Sequence, residues 1–400
     1  MRFLSSSAAR RLRRLRPLDA ALVVLTTMPV TAAAQGGAFI TRLGTDTVQV
    51  ETFARSGARI TGAIVTRAPT ARLLRYEITL APDGRFASYV QTTWRGDGAP
   101  LGATTARASL TYQGDTIVRE APDRSGALVT DRIAAPEGAF PLGTIPLGMS
   151  FLVLEHALGR ARLSSGTPAM LHRLALLPTQ RTPSHTSVLY AARDSVDVDY
   201  FGQGRFGATF DRDGALLRSD WRNTTYQVVV TRVPAIDVER IGAAWHADDV
   251  AGRGAGALSP RDSVPFTVGR ASGAIVYARP AARGRSIWGG VVPWDRIWRL
   301  GADFATRLHL TDTLQIGPAR IPAGEYTLWM LPSPTQPLLV VSRLQRVFGT
   351  QYTPAQDLVR VPLAVDTGVP PTERLTLAVR DATLTIAWGD RTYRVALTPP

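Results

Sequence analysis

Alternation of apolar and polar side chains dominates the chain from residue 37 onward. TVQVETFAR (47–55), RITGAIVTR (59–67), RLLRYEITL (72–80), RFASYVQTTW (85–94) and ARASLTYQG (106–114) alternate or are rich in β-branched and aromatic residues. That is the pattern of strands with one face on a core. Turn residues separate them: Arg55-Ser56-Gly57, Pro82-Asp83-Gly84 and Gly96-Asp97-Gly98. The period then changes. MSFLVLEHALGRARL (149–163) has its apolar residues at helical spacing, and AMLHRLALL (169–177) predicts a second, shorter helix. Strands resume with SVLYAAR (187–193), VDVDYF (196–201), ATFDRDGALLRSDW (208–221) and TYQVVVTRV (225–233), with a hairpin turn at Asp213-Gly214.

These elements predict an N-terminal domain, residues 36–235: an antiparallel curved sheet or partly open barrel with a helical insert. Such sheets often enclose an apolar cavity. Residues 236–258 begin with a short helical pattern and end in GRGAGA, the composition of a linker. Residues 259–398 are again β-rich, with AIVYARP, TRLHLTD, EYTLWML, PLLVVSR, ERLTLAVR and TLTIAW at short intervals and no helical period between them. They predict a C-terminal antiparallel β-sandwich. The fold class is mainly β.

The first 34 residues stand apart. Six arginines precede AALVVLTTMPV (20–30), and Ala32 and Ala34 offer a small-x-small cleavage site before Gln35. The apolar run is too short to span a bilayer and reads as a secretory signal peptide. No later segment approaches a membrane-spanning run, so the expectation is an exported chain, periplasmic or extracellular, that is not an integral membrane protein. Cysteine is absent, which excludes disulfides, thiolate metal sites and cysteine nucleophiles. All 46 basic residues are arginine; loss of six of them and Asp19 with the leader lowers the formal charge from +14 to +9. The arginines are scattered and often alternate with apolar residues, which reads as solvated strand faces, and no nucleic-acid-binding module is visible.

One stretch is denser. YARPAARGRSIWGGVVPWDRIWRLGAD (277–303) holds five arginines and three tryptophans among glycines and prolines. Together with LSPRD (258–262), PAGEYTLWMLP (322–332), FGTQY (348–352) and DLVRV (357–361), it resembles the domain-of-unknown-function family 2911 of exported bacterial proteins. Tyr277, Arg279, Pro280, Arg283, Gly284 and Arg285 match the first half of the family pattern, and Gly289, Pro293, Trp298, Arg299, Gly301 and Ala302 its second half. The chain departs from that pattern at Phe304, where the family has an acidic residue, and near Pro337, where a tryptophan is missing. The resemblance covers about a third of the chain and implies architecture and compartment rather than an activity.

Two uses of the stretch follow from its chemistry. Planar guanidinium groups can stack on indoles and fork onto carboxylates, so Trp294 and Trp298 could clamp Arg279 or Arg283, with Asp295 and Asp303 as acceptors, forming an internal ladder. Glycines and prolines favour this structural use. Alternatively, Tyr277, Arg279, Arg283, Arg285, Trp294, Trp298, Arg299, Asp303 and Tyr326 form a binding site for an anionic or sugar ligand.

Other chemistry is sparse. The five histidines lack metal-ligand spacing, and Glu155-His156 reads as a satisfied pair on the helix. Asp194, Asp197 and Asp199, and the Asp211-Arg212-Asp213-Gly214 turn, read as solvated strand and hairpin residues rather than a calcium site. No metal, cofactor or catalytic constellation is expected. The chain therefore reads as a non-catalytic protein that binds a small apolar, anionic or sugar ligand, or maintains the envelope at its surface. The second reading is a hydrolase or lyase acting on envelope or imported carbohydrate, with a cleft between the domains. Such an enzyme should show clustered carboxylates, or His309 converging in a cleft with Tyr277 or Tyr326.

Overall fold

The computed structural model describes residues 35–101, 106–123, 125–134, 139–141, 147–163, 169–174, 183–200 and 204–400. The expected leader lies outside them. The chain is mainly β, its sheets are predominantly antiparallel, and none is closed into a barrel.

One sheet of fifteen strands takes up the chain from residue 35 to residue 233. Its first eight strands are β1 (Gln35–Leu43), β2 (Asp46–Ser56), β3 (Arg59–Thr66), β4 (Arg72–Leu80), β5 (Phe86–Arg95), β6 (Ala106–Gln113), β7 (Thr116–Pro122) and β8 (Leu128–Ala134). The others are β9 (Phe140–Pro141), β10 (Ala169–Leu174), β11 (Ser184–Ala191), β12 (Ser195–Asp199), β13 (Arg205–Phe210), β14 (Leu216–Asp220) and β15 (Val228–Val233). Each strand pairs with its sequence neighbour, and β1 also pairs with β15, so β8 and β9 are the two edges. Among the described strands of this sheet, only β9 and β10 run parallel.

Between β9 and β10 the chain forms α1 (Phe151–Leu163), which lies on one face of this sheet. Phe151, Leu152, Val153, Leu154, Ala157, Leu158 and Ala161 are buried with Phe39, Phe53, Ile64, Ile78, Val198 and Trp221 from the strands. A helix apolar on so many sides needs such a wrapped setting. Of the expected second helix at 169–177, residues 169–174 instead form β10, paired with β11, and the rest lies outside the described residues. Leucine at helical spacing gives a weak local preference, and edge pairing overrides it.

The start of α1 is tied to β2 by buried polar groups. Ser150 caps it, its Oγ accepting from the Val153 N–H at 3.2 Å. Glu51 accepts from Ser150 Oγ (2.6 Å), Tyr76 Oη (2.7 Å) and the Phe151 N–H (2.7 Å), while Gln49 donates to the Met149 carbonyl at 2.9 Å. Tyr76 reaches Glu51 by lying across Gly62, its register partner, where a Cβ would sit 2.2 Å from the ring. Burial pushes the Glu51 carboxyl up to about 7, although each of these hydrogen bonds pulls it down. Further along α1, Glu155 accepts from Arg232 and the Leu216 N–H, both at 2.7 Å, and His156 meets Gly84 O at 2.7 Å.

The other face of β2–β4 is covered by α2 (Val238–Val250). Val50, Ala63, Val65 and Leu73 pack there against Val238, Ile241 and Trp245. β3 is thus apolar on both faces, which explains its continuous run Ala63-Ile64-Val65, while β2 turns Gln49 and Glu51 toward α1. Asp237 caps α2 through the Arg240 N–H, and Asp249 accepts from the Ala71 N–H at 2.6 Å.

Two further sheets share one apolar core. The six-stranded sheet runs β16 (Arg261–Val268), β17 (Ala271–Ala278), β18 (Thr306–Leu310), β21 (Gly324–Leu331), β22 (Leu338–Ser342), β23 (Asp357–Pro362). The four-stranded one runs β20 (Ala319–Ile321), β19 (Leu314–Ile316), β25 (Thr383–Thr398), β24 (Ala364–Arg380). Ile275, Leu308, Leu328 and Val341 from the first meet Leu377, Ile386, Trp388 and Tyr393 from the second.

Candidate functional site

The arginine- and tryptophan-rich stretch leaves β17 and winds irregularly to β18, where its polar groups find partners inside the protein. Tyr277 is buried, and its hydroxyl accepts from the Leu377 N–H at 3.0 Å. Desolvation raises the pKa of that phenol. Arg279 donates to Leu375 O and Thr376 Oγ1, both at 3.1 Å, and pairs with Asp262 at 3.1 Å. Arg285 donates to Ala282 O (2.9 Å) and Ala281 O (2.6 Å), closing its own turn; desolvation lowers its pKa to about 10, so it stays charged at neutral pH.

Arg283 does more. Its backbone N–H is bonded to Glu373 Oε1 at 2.9 Å, and its carbonyl accepts from the Thr45 N–H at 3.0 Å. Its Nε lies 2.9 Å from Asp46 Oδ2, an ion pair in which the N–H is not aimed at the oxygen. Gly44, at φ +62°, turns the β1–β2 hairpin against the Arg283 carbonyl, and a Cβ there would stand 2.1 Å from that oxygen. The Arg-Gly-Arg motif therefore receives the hairpin of the first sheet.

The tryptophans pack on one another rather than clamping Arg279 or Arg283. Trp288 lies stacked against Trp294 (6.2 Å between rings) and edge-on to Trp298 (5.9 Å) and Tyr393 (4.8 Å). Trp298 stacks on Trp388 at 5.8 Å, and Trp288 Nε1 donates to Trp388 O at 2.9 Å. The cation over Trp294 is Arg391, 4.8 Å from its centroid, on β25. Indoles at this spacing bury more apolar surface against each other than against a guanidinium. Arg299 is largely buried, with desolvation lowering its pKa and Asp303 as the nearest opposing charge; its Nε has no hydrogen-bond acceptor. Asp303 is exposed, and its carbonyl accepts from the Gly349 N–H at 2.8 Å. Tyr326 stands apart, donating to Pro322 O at 3.0 Å.

A different set of side chains surrounds open space. Arg261, Phe304, Arg307 and Arg346 line a cavity of about 390 Å³. Arg261 begins β16, and Arg307 projects from β18 between the inward-facing Thr306 and Leu308. Phe304 stands two residues before β18 and is 49% exposed. Arg346 comes from the 343–356 segment, which is zipped to 303–305 by Ala305 N–H to Val347 O (3.1 Å) and Gly349 N–H to Asp303 O (2.8 Å). Phe304 meets Phe348 edge-on at 5.7 Å. A small core of Ala305, Trp329 and Val340, packed with Ile297, Leu344, Val347 and Tyr352, anchors the segment on the sheet. Tyr352 donates to Asp357 at 2.6 Å.

Among the described residues, Arg261, Arg307 and Arg346 make no ion pair with any carboxylate and no side-chain hydrogen bond. Arg307 and Arg346 did not stand out in the sequence, and Arg261 entered only as part of LSPRD (258–262). The next rung of the same sheet face carries His309 and Glu325, register partners whose Nδ1 and Oε1 are 2.8 Å apart in the open. Elsewhere, Asp211 Oδ1 accepts from the Asp213 and Ala215 N–H groups, as a hairpin turn requires.

Residues 259–397 match the family model described as protein of unknown function (DUF2911), and no family model matches the N-terminal part. No curated protein matches the chain. Among solved structures, the chain is similar to a DUF1089 family protein from Pseudomonas aeruginosa, at 11% identity and a TM-score of 0.31, over 43% of this chain and 89% of that one. It is also similar to a beta-barrel-like protein of domain of unknown function DUF1849 from Brucella abortus, at 12% identity and a TM-score of 0.32, over 50% and 95%. Among the described residues no helix is long and apolar enough to cross a membrane.

Proposed function

We propose that the protein is an exported, non-catalytic binding protein whose ligand enters the cavity beside the 343–356 segment. The observation that carries this reading is the contrast in occupancy. Arg279, Arg283 and Arg285 are engaged internally, whereas Arg261, Arg307 and Arg346 converge on open space without acids. A volume of about 390 Å³ suits a small organic molecule. The lining of arginine and phenylalanine offers no nucleophile and no general base, which supports binding over hydrolysis or elimination. Tyr277 faces the core and Tyr326 is bonded to Pro322 O, so neither joins His309.

Within the same reading, the long sheet is a partly open barrel with its seam between β8 and β9, and the paired sheets are a β-sandwich. Residues 36–235 and 259–398 are the two domains, with 236–258 between them. Filling of the first sheet by α1 supports placing the ligand on the second half. Native mass spectrometry of the protein purified from its own host should detect a retained small molecule. Hydrogen exchange should then show that molecule protecting residues 303–309 and 343–349. Absence of any retained mass, or protection confined to the first sheet, would contradict the reading.

A further inference from the structure

We propose that the ligand is a small organic dianion, a phosphate monoester or a dicarboxylate, held by Arg261, Arg307 and Arg346 with its apolar part against Phe304. This rests on the cavity being the binding site. Arg307 is opposite Val276 on β17, which is in turn opposite Ser263 on β16, two residues from Arg261. The two guanidinium stems thus rise from strands about 10 Å apart, with small side chains between them. Arg346 closes the third side from a segment whose position is fixed by the hydrogen bonds to 303–305. The arrangement is a three-sided cationic collar on a rigid frame.

Three like charges gathered without an acid repel one another, and an anion entering between them removes that repulsion while gaining forked hydrogen bonds. β18 lies inside its sheet with its backbone carbonyls taken by β17 and β21, so Arg307 lacks the local acceptors that Arg285 uses. A bare inorganic anion fills little of a 390 Å³ cavity. The exposed ring of Phe304 supplies an apolar wall.

The test is titration calorimetry on the full mature chain with phenyl phosphate, phthalate, benzamidine and glucose, and co-sedimentation with phosphatidylcholine vesicles containing phosphatidylglycerol. Phenyl phosphate or phthalate should bind, with affinity falling as salt rises, and the tighter of the two identifies the anionic group. Benzamidine and glucose should not bind. Arg307→Gln should weaken binding at least about tenfold and Phe304→Ala by about threefold to tenfold, with unfolding unchanged. Should Arg307→Gln prove unstable, Arg346→Gln on the covering segment decides with the same expected loss. Unaltered affinity in a folded arginine variant would overturn the proposal, as would binding to anionic vesicles without binding of either free anion. A neutral molecule retained from the host and protecting 303–309 would defeat the dianion while leaving the binding role intact; no ligand and no protection would defeat both.

Discussion

Arg279, Arg283 and Arg285 end on carbonyl oxygens, a threonine hydroxyl or carboxylates, whereas Arg261, Arg307 and Arg346 end at the rim of a cavity and, among the described residues, pair with no carboxylate. The difference is one of neighbours rather than composition. In the irregular segment 279–304, Arg285 folds back onto the carbonyls of Ala281 and Ala282, while Arg279 and Arg283 reach Leu375 O, Thr376 Oγ1 and Asp46 on other elements. Arg307 rises from β18, an inner strand whose carbonyls are paired on both sides, so it must find a side chain, water or a ligand. Density of arginine in the sequence therefore marked scaffolding, and sparse arginine marked the free surface.

That contrast can be broken at several points. The largest effect should come from Trp388→Ala, which removes a buried indole stacked on Trp298 and is expected to cost about 3–5 kcal/mol in urea unfolding. A loss below about 1 kcal/mol would mean that the tryptophans are not packed as a unit.

A pH titration of stability sharpens the same distinction for an acid, since Glu51 is as fully engaged as Arg283. Its folded-state pKa of about 7 lies above the ordinary 4.5, so the folded chain holds the proton more tightly than the unfolded chain. This term is most favourable below pH 4.5, is lost as pH rises to about 7, and is flat beyond, a swing of about 3 kcal/mol. Tyr76 and Tyr89, whose own values burial raises, stay neutral throughout. Glu51→Gln keeps the acceptor for the Phe151 N–H and should remove this swing, so that the variant gains on the parent chain between pH 4 and pH 8. A difference that does not change with pH would exclude Glu51 as the titrating group.

Arg283→Ala should cost about 1–3 kcal/mol: the guanidinium is buried, but its partner Asp46 is 44% exposed and partly screened. Arg391→Ala, which removes a cation from the face of Trp294, should cost only about 0.5–1 kcal/mol. If Arg391 proved costlier than Arg283, the hairpin contact would not be the main role of the motif.

Much of this architecture could be read from period-two alternation and turn residues, and the helix at 151–163 from its apolar spacing. What escaped depended on distant pairing. Ala169–Leu174 looks helical until β11 supplies an edge. The helical start of 236–258 was legible, but not that α2 packs on β2–β4. The cavity arginines escaped for the same reason. Arg261, Arg307 and Arg346 are spread over 86 positions of sequence numbering, and each resembles a solvated strand or loop cation. The available clue was local: Phe304 standing where the stretch resembles a pattern with an acid, just before an arginine that alternates with buried residues.

The most direct test is a paired measurement of unfolding free energy and phenyl phosphate affinity on Arg283→Gln and Arg307→Gln. The account predicts that the first variant loses stability and still binds, while the second keeps its stability within about 0.5 kcal/mol and loses binding. The reverse pattern, a destabilised Arg307 variant and a stable Arg283 variant that no longer binds, would contradict it.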